Sequence, residues 1–594
     1  MKKRWFFILF FLILICPSFA QDEDFILEPI VVTSGRNSYC AEVLTAEDLR
    51  NKGIITIADI FEYAGGVDLR YRGQFNVQGD LSLRGSTYEQ VAVLINGIRI
   101  NDPQTGHHNL DIPLTVFDID KVEVFKEGLS SRFGSGAFAG AVNIVTKKPS
   151  RRILNTELLF GAHALSGQAI SFSMPGNDWS SRVSFEHKIS NGGRPNTDFE
   201  YKTASVYLDK DYDAASFNAV FGYQKKNFGA DSFYSNLFPE EQEHTETLFF
   251  KGGVEAQSVF GSPRCSMFLR KHRDKFILNR NNPAFVNYHT TNIYGINSNA
   301  DFAIGAGTFL PGFDIAREEI NSTRLGKHRR LNMAPSFVFI PQLGECLSAD
   351  VRLRFDHYSG LGWQESYNAA IGWRINQQFT LKGSYGQAFR IPSFTELYYF
   401  DPGNIGNADL GVEQSDNFKA GFTYEDKFLD CSLEGFYRRG RNLIDWARNS
   451  AAEPWQATNL GRADFRGVDF QLKIRVDNPL LPRPGFSYTY IDVDKGRGEF
   501  FSKYALDILK HQFILGLDYN LLGLNFSSRS SYNDRCYGKG YFLTGIYLSK
   551  KISCRHYSLE PFFKVDNLTN AKYTEVGDVL QPGRWIQAGL RFEW

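Results

Sequence analysis

The last nine residues of the chain alternate strictly between apolar and polar side chains. The apolar ones are Ile586, Ala588, Leu590, Phe592 and Trp594, and the others are Gln587, Gly589, Arg591 and Glu593. Successive side chains of a β-strand point to opposite faces, so this pattern predicts a strand with one apolar and one polar face. A terminal strand that ends on an aromatic residue is typical of the last strand of a closed barrel.

Similar alternation recurs from about residue 151 onward, for example over residues 183–189 and 379–385. A strand that crosses a bilayer needs ~9–11 residues. At ~20 residues per strand and connection, the segment 149–594 predicts about 22 antiparallel strands. A barrel of that size has a lumen wide enough to need a plug. A soluble sandwich or propeller would also alternate, but it would not explain the terminal aromatic strand or the different domain ahead of it.

Composition agrees with a chain rich in strands and turns. Aromatic residues make up 15% of the chain, and there are 53 glycines. The net charge is +0 and the pI is about 7.2, which gives no indication of a nucleic-acid partner. Of the seven cysteines, six follow Cys16; they are widely spaced, and we expect them to be isolated small core residues rather than metal ligands.

The first 20 residues have the features of a secretory signal peptide. A basic segment, Lys2 to Arg4, precedes a short apolar run, and small residues at positions 18 and 20 predict cleavage after Ala20. Lipoprotein processing at Cys16 is the alternative. No later apolar run reaches the length of a membrane-spanning helix.

Residues 40–148 predict a small α/β domain. Thr45 with Asp48, and Thr56 with Asp59, have the spacing of helix-capping boxes, with Asp in place of the usual Glu. Short strands follow, and Asn96-Gly97 is the pair that two-residue hairpins prefer. Ahead of this domain, residues 28–34 form a β-prone segment with no hairpin signal to join it to a neighbour.

Several segments resemble, in order, motifs of the TonB-dependent outer-membrane receptors of Gram-negative bacteria. In the small domain these are residues 80–85, 91–97, 122–128 and 134–146; in the barrel they are 388–398, 407–413, 566–570 and 582–584. Leu129 stands where the family often has Pro, and two prolines usual in the 407–413 motif are missing. The resemblance covers nearly all of the chain after the signal peptide.

The resemblance implies an all-β membrane barrel with an N-terminal α/β plug domain in its lumen. We expect a signal peptide at 1–20, the TonB box and a linker at 21–39, the plug at 40–148 and the barrel at 149–594. The TonB box would be Glu28, Pro29, Ile30, Val31, Val32, Thr33 and Ser34. The periplasmic protein TonB, with its inner-membrane energising complex, would pair with this segment as an added strand.

The resemblance implies active uptake of a scarce, large nutrient across the outer membrane. The transporter would be a monomer with no catalytic residues and no required cofactor. Cobalamin or a related corrinoid is the first expectation and a ferric siderophore the alternative. A passive porin or a barrel enzyme is the alternative from another class. A porin would lack the plug, and a barrel enzyme would be much smaller.

The candidate substrate contacts lie in the plug loop that follows the hairpin and, in the barrel motif 388–398, at Arg390 and the loop residues after it. They are Asn101, Gln104, His107, His108, Asn109 and Arg390. The sequence gives the polar groups of this plug loop no obvious local structural use, which favours contact with a ligand. As a metal pair His107 and His108 are unpromising, because neighbours on an extended chain point to opposite sides. Calcium is a further possibility in the outer loops, with Asp198, Glu200 and Asp231 as candidate ligands.

Overall fold

The structure is a computed structural model of the chain. It describes residues 42–594, apart from 177–178, 235–236, 259–260, 477, 479–480, 496–500, 505–506, 537 and 577–578. The predicted signal peptide and TonB box therefore lie outside the described residues.

The N-terminal domain is built on a five-stranded mixed sheet with the strand order β1-β6-β7-β4-β5, beside a β2–β3 hairpin. Strands β4 and β7 are parallel, and the other neighbours are antiparallel. Its elements are β1 Glu42–Thr45, α1 Ala46–Asn51, β2 Val67–Tyr71, β3 Gly79–Leu83, β4 Val91–Ile95, β5 Ile98–Arg99, β6 Ile119–Phe125, α2 Ser130–Phe133 and β7 Gly140–Thr146, with 3₁₀ turns at Ala58–Tyr63, Gln74–Asn76, Tyr88–Gln90, Gly106–His108 and Val116–Asp118.

Local sequence signals explain several of these elements. The Thr45 hydroxyl accepts a hydrogen bond from the Asp48 amide, and the Asp48 carboxylate accepts one from the Thr45 amide, so the predicted capping box begins α1. Thr56 and Asp59 make the same reciprocal bonds, but the segment that follows is a 3₁₀ helix rather than an α-helix. Asn96 and Gly97 both have positive φ, as the predicted two-residue hairpin turn requires.

The second part of the chain is a closed barrel. Within the described residues it has 22 long antiparallel strands, as the alternating pattern predicted. They are β8 Ile153–Gly161, β9 Leu165–Met174, β10 Ser180–Ser190, β11 Phe199–Tyr212, β12 Ala215–Gly229, β13 Gln242–Ala256, β14 Ser262–Ile277, β15 Val286–Ile304, β16 Gly307–Ser322, β17 Gly326–Pro341, β18 Leu347–Tyr358, β19 Gly362–Arg374, β20 Phe379–Arg390, β23 Glu413–Glu425, β24 Leu429–Arg448, β25 Trp455–Ile474, β26 Arg483–Lys495, β28 Leu509–Leu521, β29 Leu524–Arg535, β30 Tyr541–Lys550, β32 Ser558–Asp566 and β33 Trp585–Glu593.

Four two-residue strands and one short helix lie in the connections. They are α3 Phe394–Tyr398, β21 Phe400–Asp401, β22 Asn404–Ile405, β27 Phe501–Ser502 and β31 Ile552–Ser553. The longest α-helix among the described residues has six residues, and no described helix is long and apolar enough to cross a bilayer.

The terminal strand shows how the sequence pattern becomes the barrel wall. Strand β33 pairs with β8 and closes the barrel. Ile586 and Leu590 point outward and are exposed, whereas Gln587 and Arg591 point inward and are buried. The apolar outer face suits lipid, and the polar inner face contacts the plug.

The two ends of the barrel differ in their connections. At the end where β8 begins and β33 finishes, turns are short: two residues join β11 to β12, and two join β15 to β16. At the other end, residues 391–412 join β20 to β23, and 567–584 join β32 to β33. Short periplasmic turns and longer extracellular loops are the rule in such barrels, so the long loops mark the outer face.

Ion pairs rather than apolar contacts join the plug to the barrel wall at several places. Arg84 of the plug bonds Glu434 and Asp469 of the barrel. Arg535 of the barrel makes two bonds to Asp68 of the plug. The inward faces of the strands are polar, so these contacts follow from the alternation itself.

The expectation that the cysteines are small core residues is wrong for those described. Cys265, Cys346, Cys536 and Cys554 are exposed, Cys431 is half-buried, and all five are free. The expectation assumed that apolar side chains are buried, but half of the strand positions in a barrel face lipid. Three of these cysteines lie in connections between strands.

Candidate binding cavity between the plug and the outer loops

A cavity of about 260 Å³ lies where the top of the plug meets the outer ends of the barrel strands. Its walls come from both domains and carry many aromatic and carboxylate side chains. The lining residues are Thr87, Tyr88, Glu89, Gln104, Thr105, His107, His108, Tyr234, Phe238, Glu241, Glu243, Asp274, Phe276, Leu278, Asn287, His289, Ser393, Thr395, Glu396, Tyr399, Asp401, Asn404, Ile444, Asp445, Trp446, Lys503 and Tyr504.

Asn101 and Asn109 shape the plug loop and do not line the cavity. The Asn101 side-chain amide donates to the Val91 carbonyl at 2.8 Å and accepts from the Val93 amide at 2.9 Å. Asn109 accepts from the Asp102 amide at 2.9 Å. The expectation that these polar groups have no local structural use is therefore wrong for these two residues, which close the loop on itself.

Gln104, His107 and His108 do line the cavity. The two histidines lie in a 3₁₀ turn, not on an extended chain, yet their rings diverge. His107 Nδ1 lies 2.7 Å from the Asp80 carboxylate, and its ring stacks on Tyr88 at 4.4 Å between centroids. Burial lowers the pKa of His107 to about 4, in spite of Asp80, so its imidazole is neutral at pH 7.

His108 points the other way, into a group of carboxylates. Its Nδ1 is 3.6 Å from Asp111, and its Nε2 is 3.7 Å from Glu243 and 3.6 Å from Asp274. Burial disfavours a charged imidazole, but Asp111 and Asp274 outweigh it and raise the pKa of His108 well above its usual range. Gln104 approaches the same group, with Nε2 3.4 Å from Asp274.

Arg390 is buried outside the cavity lining, in a double ion pair. Its guanidinium makes two bonds to Glu396 at 2.9 Å and bonds Glu413 at 2.6 and 3.1 Å. Glu396 also completes the capping box of α3 with Ser393. Arg390 therefore positions α3, and α3 brings its own residues to the cavity.

The start of α3 is attached directly to the plug loop. The Phe394 amide donates to the Pro103 carbonyl at 2.8 Å, and the Thr395 amide donates to the Gln104 carbonyl at 3.0 Å. The first amides of a helix have no partner within the helix, so they are free to make such bonds. This contact joins an outer loop of the barrel to the plug beside the cavity.

Carboxyl groups predominate among the titratable side chains of the cavity. Its described lining carries seven carboxyl groups but one lysine, Lys503, and no arginine. Burial and the nearby Glu396 raise the pKa of Glu89 to about 8, so this carboxyl is neutral at pH 7. An anionic ligand would meet little positive charge here.

The three calcium candidates do not come together as a site. Asp198 pairs with Arg280, Glu200 with Lys202 and His187, and Asp231 with Arg194. None of them belongs to either of the clusters of three potential metal ligands found among the described residues, which both contain His108.

The sequence reasoning missed much of the barrel side of the cavity. Tyr234, Trp446, Lys503 and Tyr504 lie in or beside outer connections that carry no recognised motif. Aromatic residues near strand ends were the available signal, but most such residues in a barrel face lipid or its interfaces.

Two family models match the chain. One, described as TonB dependent receptor-like, beta-barrel, matches residues 171–568, and the other, described as TonB-dependent Receptor Plug Domain, matches residues 37–141.

Two relatives with similar sequences are vitamin B12 transporters named BtuB. The one from Vibrio cholerae is 24% identical over 528 residues, which covers 83% of this chain and 82% of that protein. The one from Photobacterium profundum is 21% identical over 472 residues, with 76% of each chain covered.

Solved structures with the same fold include proteins named for substrates other than vitamin B12. The copper transporter OprC matches with a TM-score of 0.81 at 16% identity, covering 94% of this chain and 99% of that one. A mutant ferric enterobactin receptor, PfeA from Pseudomonas aeruginosa, matches with a TM-score of 0.78 at 16% identity, covering 93% and 98%. At this identity the likeness supports the fold alone.

Proposed function

The chain belongs to the TonB-dependent receptor family of the outer membrane, and we propose that the substrate it imports is a large neutral metal chelate of the corrinoid class. The observation that carries this proposal is the cavity itself. It is open, and it lies between plug and outer loops. It offers aromatic faces and hydrogen-bonding groups with little positive charge.

The charge of the cavity separates the two substrate classes. A ferric tris-catecholate is strongly anionic, and burying it beside carboxylates without cationic partners would be costly. A corrinoid carries neutral amide groups around its rim, and these can bond carboxylates, hydroxyls and amides of the lining. The names of the BtuB relatives support the same class.

Aromatic side chains give the cavity its apolar contact area. Tyr88 and Tyr504 pack edge to face at 5.5 Å, and Trp446 lines the cavity nearby. Flat apolar surface of this kind suits the broad face of a macrocycle, and aromatic residues in such positions dominate binding energies.

A ligand held here would touch parts that must move for transport. Thr395 and Glu396 of α3 line the cavity, and the amides of α3 bond the plug loop at Pro103 and Gln104. We propose that occupancy is communicated to the plug through this contact. TonB then engages residues 28–34 by strand addition and supplies the work that displaces the plug.

The test is binding by the purified full-length protein in detergent, with cyanocobalamin and a ferric tris-catecholate as the two probes. We expect cyanocobalamin to bind and the catecholate not to bind. Trp446→Leu should weaken cyanocobalamin binding about tenfold, which corresponds to ~1.4 kcal/mol. Trp363→Leu is the matched control, because Trp363 is exposed on the barrel and outside the cavity lining.

Lys503→Glu sharpens the comparison. It removes the lysine of the described lining and should leave binding of a neutral corrinoid within about twofold. The opposite result is a wild type that binds the catecholate but not cyanocobalamin, with catecholate binding lost in Lys503→Glu. That result would replace the corrinoid with a siderophore as the proposed substrate.

A further inference from the structure

A buried cluster of imidazole and carboxylate groups from both domains adjoins the cavity, and three of its five members line it. His108 and Asp111 belong to the plug, and Glu243, His272 and Asp274 belong to the barrel wall. All five side chains are buried. We propose that this cluster binds a divalent transition-metal ion of the Zn²⁺ class between His108 Nε2, Glu243 Oε1 and Asp274 Oδ2.

The distances suit ligands around an ion better than a hydrogen-bonded network. His108 Nε2 is 3.7 Å from Glu243 Oε1 and 3.6 Å from Asp274 Oδ2, both longer than a hydrogen bond. Ligands ~2.1 Å from a tetrahedral Zn²⁺ lie ~3.4 Å from one another. The observed separations are close to that edge length, so small side-chain shifts would complete the site.

The second ring nitrogen of His108 faces a carboxylate, the group that usually orients a metal-binding histidine, at a distance longer than a hydrogen bond. Its Nδ1 faces Asp111 Oδ2 at 3.6 Å. A histidine that ligates a metal usually donates its other N–H to a carboxylate, which fixes the ring and its tautomer. Asp111 is itself held by Lys226, at 2.6 Å. Asp111 is therefore placed to accept a hydrogen bond from His108 Nδ1 after a small shift of the ring.

Several buried polar atoms of the cluster have no hydrogen-bond partner within the described part of the chain. They are Asp111 Oδ2, His272 Nε2 and Asp274 Oδ1, and the neighbouring Gln104 Oε1 is in the same condition. Buried polar atoms are nearly always satisfied, and an exception calls for a ligand, an ion or water. Such atoms gathered in one place point to a bound species.

The charge balance of the cluster also favours a divalent cation. Together with the adjacent Asp102, it contains four carboxylates, and the cations paired with them in the described structure are Lys226 and Arg270. Metal binding requires a neutral His108, so the proton that its carboxylate neighbours favour would be released when an ion enters. The four carboxylates then exceed the two cations by two negative charges in a buried environment, where unpaired charge is costly. One divalent ion would neutralise them.

The ligand set selects the class of ion. Ca²⁺ prefers six to eight oxygen ligands, whereas one imidazole with two carboxylates is typical of zinc and its first-row neighbours. Three protein ligands leave a coordination position for water or for a donor atom of an entering molecule. His108, Glu243 and Asp274 all line the cavity, so an ion can enter from outside.

The first measurement is the binding of Zn²⁺ alone to full-length protein that has been stripped with a chelator and returned to neutral buffer. We expect one ion per chain by calorimetry and by elemental analysis after gel filtration. Co²⁺ in place of Zn²⁺ should give the visible absorption of a tetrahedral nitrogen–oxygen site.

Variants assign the ion to this cluster. His108→Gln and the double variant Glu243→Gln/Asp274→Asn should each weaken Zn²⁺ binding at least tenfold and abolish the Co²⁺ spectrum. His187→Gln is the control, since His187 also contacts a carboxylate, Glu200 at 3.0 Å, but outside this cluster. Circular dichroism and the heat-dependent gel mobility of the barrel establish that each variant is folded.

Anomalous scattering at the zinc edge from a crystal soaked in Zn²⁺ gives an answer independent of the variants. A peak between His108, Glu243 and Asp274 supports the proposal. No ion bound by the wild type, a peak elsewhere, or unchanged binding by both variants would overturn it and leave a protonated histidine network. Cyanocobalamin binding, measured on the same samples, tests the proposed substrate separately, because the metal site does not depend on that proposal.

Discussion

At the scale of single residues, the protonation of Glu89 in the cavity makes the stability of the protein depend on pH. The Glu89 carboxylate accepts a hydrogen bond from the Gly106 amide at 2.7 Å, and burial with Glu396 raises its pKa to about 8. Arg390 and Asp80 also act on it, in opposite directions. The unfolded chain releases this proton near pH 4.5, whereas the folded protein keeps it up to about pH 8.

The sign of the effect on stability follows. A raised carboxyl pKa means that the folded state binds the proton more tightly, so the wild type loses stability as pH rises from about 5 to about 8. Glu89→Gln keeps the acceptor and removes the proton equilibrium. We expect the melting temperature of the variant, relative to wild type, to rise across this window and to level off above it. An equal difference at pH 5 and pH 8 would contradict the assignment.

Arg390 allows a second prediction at this scale. Arg390→Met leaves Glu396 and Glu413 buried without their cation, a loss of about 3–5 kcal/mol in comparable cases. We expect lower thermal stability and weaker ligand binding through displacement of α3. Arg390→Met/Glu396→Gln/Glu413→Gln should recover most of the stability. Full binding by the single variant would show that α3 does not depend on this ion pair.

The roles of single residues were the hardest feature of the site to predict from the sequence. Sequence reasoning placed Gln104, His107 and His108 in the loop that lines the cavity, but it could not separate them from Asn101 and Asn109. Their different roles depend on contacts with Asp80, Asp102 and the carbonyl of Val91 within the folded plug. Asp274 and Glu243 are far from His108 in sequence, and no local pattern joins them.

At the scale of elements, the segment 28–34 carries a prediction from its backbone chemistry. Val32→Pro removes an amide donor and restricts the preceding residue, so an added strand would lose part of its ladder. We expect this variant to bind ligand at the cell surface but to fail in uptake. Val32→Ala should be mild, because main-chain bonds carry the pairing. Equal loss of uptake in both variants would count against strand addition.

Elements whose signals are local were predictable. The capping box at Thr45 and the Asn96-Gly97 turn are short-range patterns, and both appear as expected. The segment after Thr56 shows the limit. Its caps form, but packing on the plug core tightens it into a 3₁₀ helix in which Ile60 and Phe61 are buried. Tertiary packing overrides helix type more easily than it overrides a cap.

At the scale of the whole molecule, the number of strands could be estimated because the bilayer fixes strand length. The cavity could not be predicted from the sequence, because its walls come from loops that are far apart along the chain. Residues 87–108 meet 393–404 and 503–504 only through the folded three-dimensional structure. Sequence alternation sets the face on which each side chain lies, but not which outer loops lean over the plug.

The ion pairs between plug and barrel make a prediction at this scale. Arg84→Met leaves Glu434 and Asp469 facing a neutral side chain, and we expect the plug to lose about 3–5 kcal/mol while the barrel stays folded. The measurement is urea unfolding of the plug alongside leakage of large antibiotics into cells. Arg84→Met/Glu434→Gln/Asp469→Asn should restore most of the loss. A barrel that unfolds together with the plug would show that the two domains are one cooperative unit.

The seam between β33 and β8 imposes an order on assembly. Leu154 and Trp594 exchange both backbone hydrogen bonds there, at 2.7 and 2.9 Å, so the seam joins the strands from the two ends of the barrel segment. The plug precedes β8 in the chain, so it is synthesised before the barrel can close through the pairing of β33 with β8. Until that moment the charged residues of the plug that will face the wall, Arg84 and Asp68 among them, have no wall to face. The plug must therefore remain soluble without its barrel partners until the barrel has closed around it.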